Sequence, residues 1–186
     1  MPNYADMSSE QLLALIAQGD RDAFSCFMTR HKDSVFSFAR RMLGHYEEAE
    51  DVAQEVFLNV WSSASTYKGN AKSSTWILAI TANICKNRLR SFWRSRAKVG
   101  IEALESHSAA DAHRPDTQAL SNERQLRINA AINALPINQR IAITFWRHEN
   151  MSYREISEAM KCSVSNVEIL LHRAKRFLIS QLGDKM

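Results

Sequence analysis

Apolar residues recur along this chain at steps of three and four, the spacing of one helix face rather than of alternate strand positions. Leu12, Leu13 and Ile16 form a first short run, with Ser8 or Ser9 placed to cap it and Gly19 to stop it. Residues 1 to 7, before that run, read as a frayed end. Phe24, Phe27, Met28, Val35, Phe38, Ala39 and Met42 predict a second helix from about Asp22 to Leu43, ended by Gly44. Ala49, Val52, Ala53, Val56, Phe57, Val60 and Trp61 predict a third. A loop, TYKGNAKSS, then leads into a fourth helix from about Thr75 to Arg96, with Trp76, Ile80 and Ile84 at helical spacing.

The pattern then breaks. Lys86, Arg88, Arg90, Arg94, Arg96 and Lys98 fall in a stretch without an acid. Residues 99 to 117 are polar, carry Pro115 and hold no period, so they read as a linker. Helical spacing resumes from about Asp116 to Asn133 with Leu120, Leu126, Ile128 and Ile132. Pro136 suits the first turn of the next helix, which carries Ile141, Ile143, Phe145 and Trp146. Ser152 and Glu155 form a capping-box pattern that opens a short helix, and a long helix ends near Leu182. No strand candidate and no internal repeat stands out. The expected fold is all-α, with one small helical domain over 1–97, a flexible linker over 98–117 and a second helical domain over 118–186.

Composition agrees. Only 5 Gly and 3 Pro leave few turns, and 45% apolar residues suffice for a core. The net charge of +4 and a pI near 9.1 favour a polyanionic partner. Cys26, Cys85 and Cys162 stand far apart, as free thiols in a reducing cytosol do. With no membrane-length apolar run and no signal-peptide pattern, a cytoplasmic location is expected.

The most informative stretch is SYREISEAMKCSVSNVEILLHRAKRF. A short helix carries Ile156 and Met160, a tight turn falls at Lys161-Cys162, and Ser163 or Ser165 caps the next helix. Val164, Val167 and Leu171 would point back to the first helix, and small Ser157 would permit a close crossing. These are the requirements of a helix-turn-helix, whose second helix enters the major groove with its leading residues. Those residues would be Ser163, Ser165, Asn166 and Glu168, with Arg173, Lys175 and Arg176 suited to phosphates. An ordinary helical hairpin has the same pattern.

Two further features bear on binding. Lys86, Arg90 and Arg94 form a basic row at steps of four, widened by Arg88 and Arg96, beside Trp76, Asn83 and Asn87. Cations beside aromatics and amides suit a single nucleic-acid strand, although a row of cations is also an ordinary solvated face. The third helix instead exposes Glu50, Asp51, Gln54 and Glu55, with Leu58 beside them. That acidic face suits a basic helical partner, would repel DNA, and should lie away from the basic row.

Taken in order, EEAEDVAQEVFLNVW, then TYKGNAKSSTWILAITANICKNRLR, then the terminal helix-turn-helix, the chain resembles the extracytoplasmic-function sigma factors of bacterial RNA polymerase over about Leu12 to Leu182. The resemblance implies that Asp51, Gln54 and Glu55, with Phe57 and Leu58, dock on a coiled coil of the polymerase's largest catalytic subunit. It implies that the loop Tyr67 to Ser74 and the following helix read the nontemplate strand of the −10 element and capture a flipped base. The residues concerned are Tyr67, Lys68, Lys72, Trp76, Asn83, Lys86, Asn87, Arg90 and Arg94. Such capture favours opened DNA and drives melting without ATP. The terminal domain would read the −35 element beside the flap of the second-largest subunit, and the linker would thread toward the RNA exit path. The family further implies an anti-sigma partner, often anchored in the inner membrane, with no cofactor, no metal and no homo-oligomer. The chain departs from many members at Ala79, where they carry Arg, and at Glu168 and Leu170, where they carry Lys or Arg.

Two other classes fit less of the sequence. A free-standing helix-turn-helix regulator has no use for the Asp51–Glu55 face or the Trp76–Arg96 segment. An enzyme would need a site. Asp51 and Glu55 lie one turn apart like a metal pair, but His31, His45, His107, His113, His148 and His172 are scattered, and no phosphate-binding glycine loop or nucleophile motif occurs.

Overall fold

The computed structural model describes residues 3–99 and 119–183. Eight α-helices occur among them: α1 (Ser9–Ile16), α2 (Arg21–Leu43), α3 (Tyr46–Ser63), α4 (Ser73–Val99), α5 (Ala119–Asn133), α6 (Ile137–His148), α7 (Tyr153–Met160) and α8 (Val164–Leu182). No strand occurs among the described residues, in keeping with the period of the apolar positions.

Local chemistry sets most boundaries. Ser8, not Ser9, caps α1, in a reciprocal box with Gln11. Asp20 caps α2 by accepting from the N–H groups of Asp22 and Ala23. The buried stripe of α2, Ala23, Phe27, His31, Val35, Phe38 and Met42, advances by steps of four and three. Gly44 ends that helix with φ at +85°, a conformation that suits a residue without Cβ. Helix α4 begins two residues earlier than the pattern predicts and continues to Val99, so residues 98 and 99 of the expected linker are helical. Residues 100–117 lie outside the described residues.

The expectation of a frayed start does not hold for residues 3 to 7. Tyr4–Asp6 form a single tight turn. The Tyr4 hydroxyl donates to Asp20 at 2.9 Å, and Arg30 donates to the carbonyls of Met7 at 2.8 Å and Ala5 at 3.3 Å. The partners lie sixteen or more positions away in sequence. No local pattern could report them.

Helices α1 to α4 pack as one group and α6 to α8 as another, with α5 against α8. The two groups touch. Phe38 of α2 stacks on Phe145 of α6 with ring centroids 4.9 Å apart, both rings fully buried. Arg140, buried, donates to the carbonyl of Met42, one of the last carbonyls of α2, and to that of Asn133. A helix end cannot satisfy those carbonyls itself, and its negative pole attracts a guanidinium. Glu149 takes a hydrogen bond from Ser34 at 3.1 Å and lies 3.7 Å from Arg41. The buried apolar side chains form one continuous cluster across both groups. Cys85 is buried, Cys26 and Cys162 are half-buried, and all three are free thiols. No helix among the described residues is long and apolar enough to cross a membrane.

Candidate nucleic-acid interface

Three surfaces carry the sequence candidates. On α3, Val52, Val56 and Val60 are fully buried and turn the opposite face outward. Asp51 and Gln54 are exposed there, and Leu58 stands out with 70% of its surface open. Phe57 does not belong to this face. It is 7% exposed and packs into the core, so it supports the face from beneath. The acidic and basic faces are also less separate than expected, because Glu55 accepts from Arg88 of α4 at 3.0 Å.

The second surface is the loop before α4 and the outer side of that helix. Tyr67 closes the loop on itself: its hydroxyl donates to the carbonyl of Ala71 at 2.6 Å, and its ring meets Trp76 edge-on at 5.5 Å. Gly69 turns the chain with φ at +71°. Lys68, Asn83, Asn87, Arg90 and Arg94 are exposed, Lys86 is half-buried, and Trp76 is half-buried against Tyr67. Asn83, Asn87, Arg90 and Arg94 follow at steps of four, three and four, so they share one face. Asn87, Arg90 and Arg94, with the exposed Trp93, line a cleft of about 790 Å³ whose far wall includes Pro136 and Arg140. Lys72 is engaged: its ammonium lies 2.8 Å from Glu155 of α7. That ion pair, with backbone and hydroxyl donation from Ser152, holds the Glu155 carboxyl down at about 2.

The third surface is the helix-turn-helix of α7 and α8. The Ser152–Glu155 box caps α7 as the sequence predicts. Lys161 makes the turn with φ at +52°. Ser163 is the cap of α8, its hydroxyl accepting from the N–H of Asn166 at 3.2 Å. This settles the choice against Ser165. Ser157 is buried at the crossing, and Val167 and Leu171 pack inward. Val164 does not; it is 41% exposed in the first turn of α8. Ser163, Ser165, Asn166 and Glu168 are exposed together at the leading end, followed by exposed Arg173 and Arg176. Lys175 turns aside, its ammonium 3.8 Å from the centre of the Trp146 ring.

Sequence reasoning missed Glu10. It accepts a hydrogen bond from the backbone N–H of Ser73, the first residue of α4, at 3.0 Å. Donation from Ser73 lowers its carboxyl to about 2. The two residues stand 63 positions apart, and no periodicity links them. Among the described residues, no three His, Cys, Asp or Glu side chains gather to hold a metal ion.

Comparison with known proteins follows the same division. Residues 27–95 match the family model for Sigma-70 region 2, and residues 125–178 match that for Sigma-70, region 4. The chain is 30% identical to the ECF RNA polymerase sigma factor SigW of Bacillus subtilis, over 96% of this chain and 99% of that one. Its fold is similar to that of CnrH solved in complex with the cytosolic domain of CnrY, with a TM-score of 0.70 at 21% identity, covering 96% of this chain and 99% of that one. It is also similar to the sigma factor RpoE solved in complex with the anti-sigma factor NepR from Bartonella quintana, with a TM-score of 0.65 at 20% identity, covering 88% and 98%.

Proposed function

The chain belongs to the extracytoplasmic-function sigma factors of bacterial RNA polymerase, and we propose that three surfaces divide its work. The protein is a promoter-recognition factor for transcription initiation. In our reading, the exposed side of α3 docks on the coiled coil of the largest polymerase subunit through Asp51, Gln54, Glu55 and Leu58. The loop Tyr67 to Ser74 and the Asn83–Arg94 face of α4 take the nontemplate strand of the −10 element. The leading end of α8 meets the −35 element, with the terminal domain beside the flap of the second-largest subunit. Residues 1–97 and 118–186 are the corresponding domains. The chain catalyses no step of its own: capture of an unpaired base pulls the duplex toward the open state by mass action.

The observation that carries the docking assignment is Leu58, a large apolar side chain 70% exposed beside the exposed Asp51 and Gln54. An apolar anchor ringed by acids and amides is the complement of a basic helical partner. Asp51→Arg tests it, alone and with Glu55→Arg, because the second change also sets a guanidinium against Arg88. Reversal of a charge at such a contact costs about 2–5 kcal/mol, so binding to core polymerase should weaken by at least about thirty-fold with helicity unchanged. Wild-type affinity in the Asp51→Arg chain would refute the assignment.

An anti-sigma factor is the remaining partner we propose, anchored in the inner membrane and holding the chain in the cytoplasm until its signal arrives. Two proteins of similar fold support such a partner: RpoE was solved in complex with the anti-sigma factor NepR, and CnrH in complex with the cytosolic domain of CnrY. The chain acts as a single copy.

A further inference from the structure

Glu10 presents a puzzle of charge. It places a carboxylate against the first residue of α4, beside the loop assigned above to a DNA strand. A carboxylate there opposes phosphates, so it weakens binding unless it does something else. We infer that Glu10 is a positioning residue for −10 recognition: through Ser73 it fixes where α4 begins, and so where the Tyr67–Lys72 loop and Asn83 meet the DNA strand. This rests on the proposed −10 role of that surface.

The geometry runs from a rigid anchor to a constrained loop. Leu12 and Leu13 of α1 are fully buried and Ile16 nearly so. The start of α1 is held from α2, where Arg30 donates to the Met7 carbonyl at 2.8 Å and the Ser9 hydroxyl at 3.2 Å. The His31 ring nitrogen lies 3.0 Å from the same hydroxyl. Glu10 therefore stands on an element with little freedom. On the other side, Ser73 and Thr75 are buried in the first turn of α4. N–H groups of a first turn have no partner within their own helix, and a buried one needs an acceptor from elsewhere. The Glu10 carboxylate supplies it, and it sits at the positive end of the helix. Upstream, the Tyr67 hydroxyl closes the loop on Ala71, one residue before Lys72. The loop is thus pinned at both ends, by Tyr67 at one and by Glu10 through Ser73 at the other.

Hydrogen bond and charge can be separated, because glutamine keeps an acceptor oxygen and loses the charge. The assay uses the full chain with core polymerase. Transcription from a promoter library randomised at the −10 element gives the best site, and open-complex formation is then compared between it and its single-base variants. Glu10→Ala should cut discrimination by about threefold to tenfold, the scale of one lost hydrogen bond. Glu10→Gln should keep discrimination within about twofold of wild type. Both should bind core polymerase normally and bind duplexes of all sequences more tightly at low salt, because a repulsive charge is gone. A fold defect alone would not raise affinity while lowering discrimination. Should Glu10→Ala fail to fold, Glu10→Asp keeps the charge, shortens the reach by one methylene and carries the same expected loss. Wild-type discrimination in the Ala or Asp chain overturns the inference. So does a loss in Glu10→Gln equal to that in Glu10→Ala, which would assign the effect to charge. Lys68→Ala and Asn83→Ala in the same library test the underlying reading: if neither alters −10 discrimination, the loop and α4 do not read that element. If they erode it and Glu10→Ala does not, only the role of Glu10 falls.

Discussion

Phe38 and Phe145 report whether the two helix groups are docked in solution. Each ring is fully buried, and they stack at 4.9 Å with planes 28° apart. Truncation to Ala would remove about 3–5 kcal/mol at each site. Whole domains are stable by only about 5–15 kcal/mol, so a double Ala chain approaches unfolding and yields no clean number. Leucine is the better probe: it keeps most of the apolar volume, costs about 1–1.5 kcal/mol at each site, and abolishes the ring pair. Beyond burial, an aromatic pair contributes about 0.5–1.5 kcal/mol, and this is the coupling expected from a double-mutant cycle of Phe38→Leu and Phe145→Leu. Equilibrium urea unfolding of the four chains supplies the measurement. Trp61 and Trp76 in the first group and Trp146 in the second report each group by emission. Docked groups should unfold in one transition with that coupling. A coupling below about 0.3 kcal/mol, or separate transitions for the two groups, would show that the rings do not meet in solution.

Asn83→Ala should leave core binding unchanged and weaken open-complex formation on duplex promoters, with much of the defect relieved on a pre-melted −10 template; equal loss on both templates would refute a melting role for this exposed amide. Acid should destabilise the chain in two windows. Burial lowers the pKa of His31, so the stability its neutral form supplies is complete above about pH 6.5 and declines below it. Glu10 and Glu155 are both held at about 2, so their contribution is complete above the unfolded value near 4.3 and is lost as pH falls toward 2. Thermal melting from pH 5 down to pH 2 should therefore be less steep in Glu10→Gln and Glu155→Gln than in the wild type, and three equal slopes would refute the assignment.

What was legible in the sequence is what neighbours in sequence decide. Ser152 with Glu155, Gly44 after α2 and the turn at Lys161 are local devices, and the structure uses each as the sequence predicts. The stripe of α3 was legible for the same reason, since Val52, Val56 and Val60 are fully buried. Errors arose where a stripe meets an edge. Val164 continues the spacing of Val167 and Leu171, but it is the first residue of α8 and stays 41% exposed, while the two further along are buried. Phe57 follows the buried stripe that its spacing predicts; it is the resemblance that sets it beside Leu58 on the docking face, and a rotation of about 100° per residue puts one in the core and the other in solvent. The contacts between Phe38 and Phe145, and between Arg140 and Met42, join residues about a hundred positions apart, and no period encodes them.

The basic surfaces mark a further limit, because sequence lists cations and folding allocates them. Arg88 and Arg90 are two positions apart on α4 and identical in chemistry. Arg88 falls within reach of Glu55 on the crossing helix, whereas the Arg90 side chain has no hydrogen-bond or ion-pair partner among the described residues. Lys175 sits between Arg173 and Arg176 on α8, but the crossing of α6 brings Trp146 beneath it and leaves its two neighbours exposed. A cation already paired offers less to a phosphate, because the incoming anion must displace a partner as well as counterions. The candidate −10 and −35 surfaces are therefore smaller than the rows read along the chain. Asn83, Asn87 and Arg90 form the open centre of one, and Ser163 to Glu168 with Arg173 and Arg176 make up the other. Which cations remain depends on the angles at which α3 crosses α4 and α6 crosses α8. Those angles come from the buried apolar side chains, so the core that sequence did encode selects among the charges that it could not.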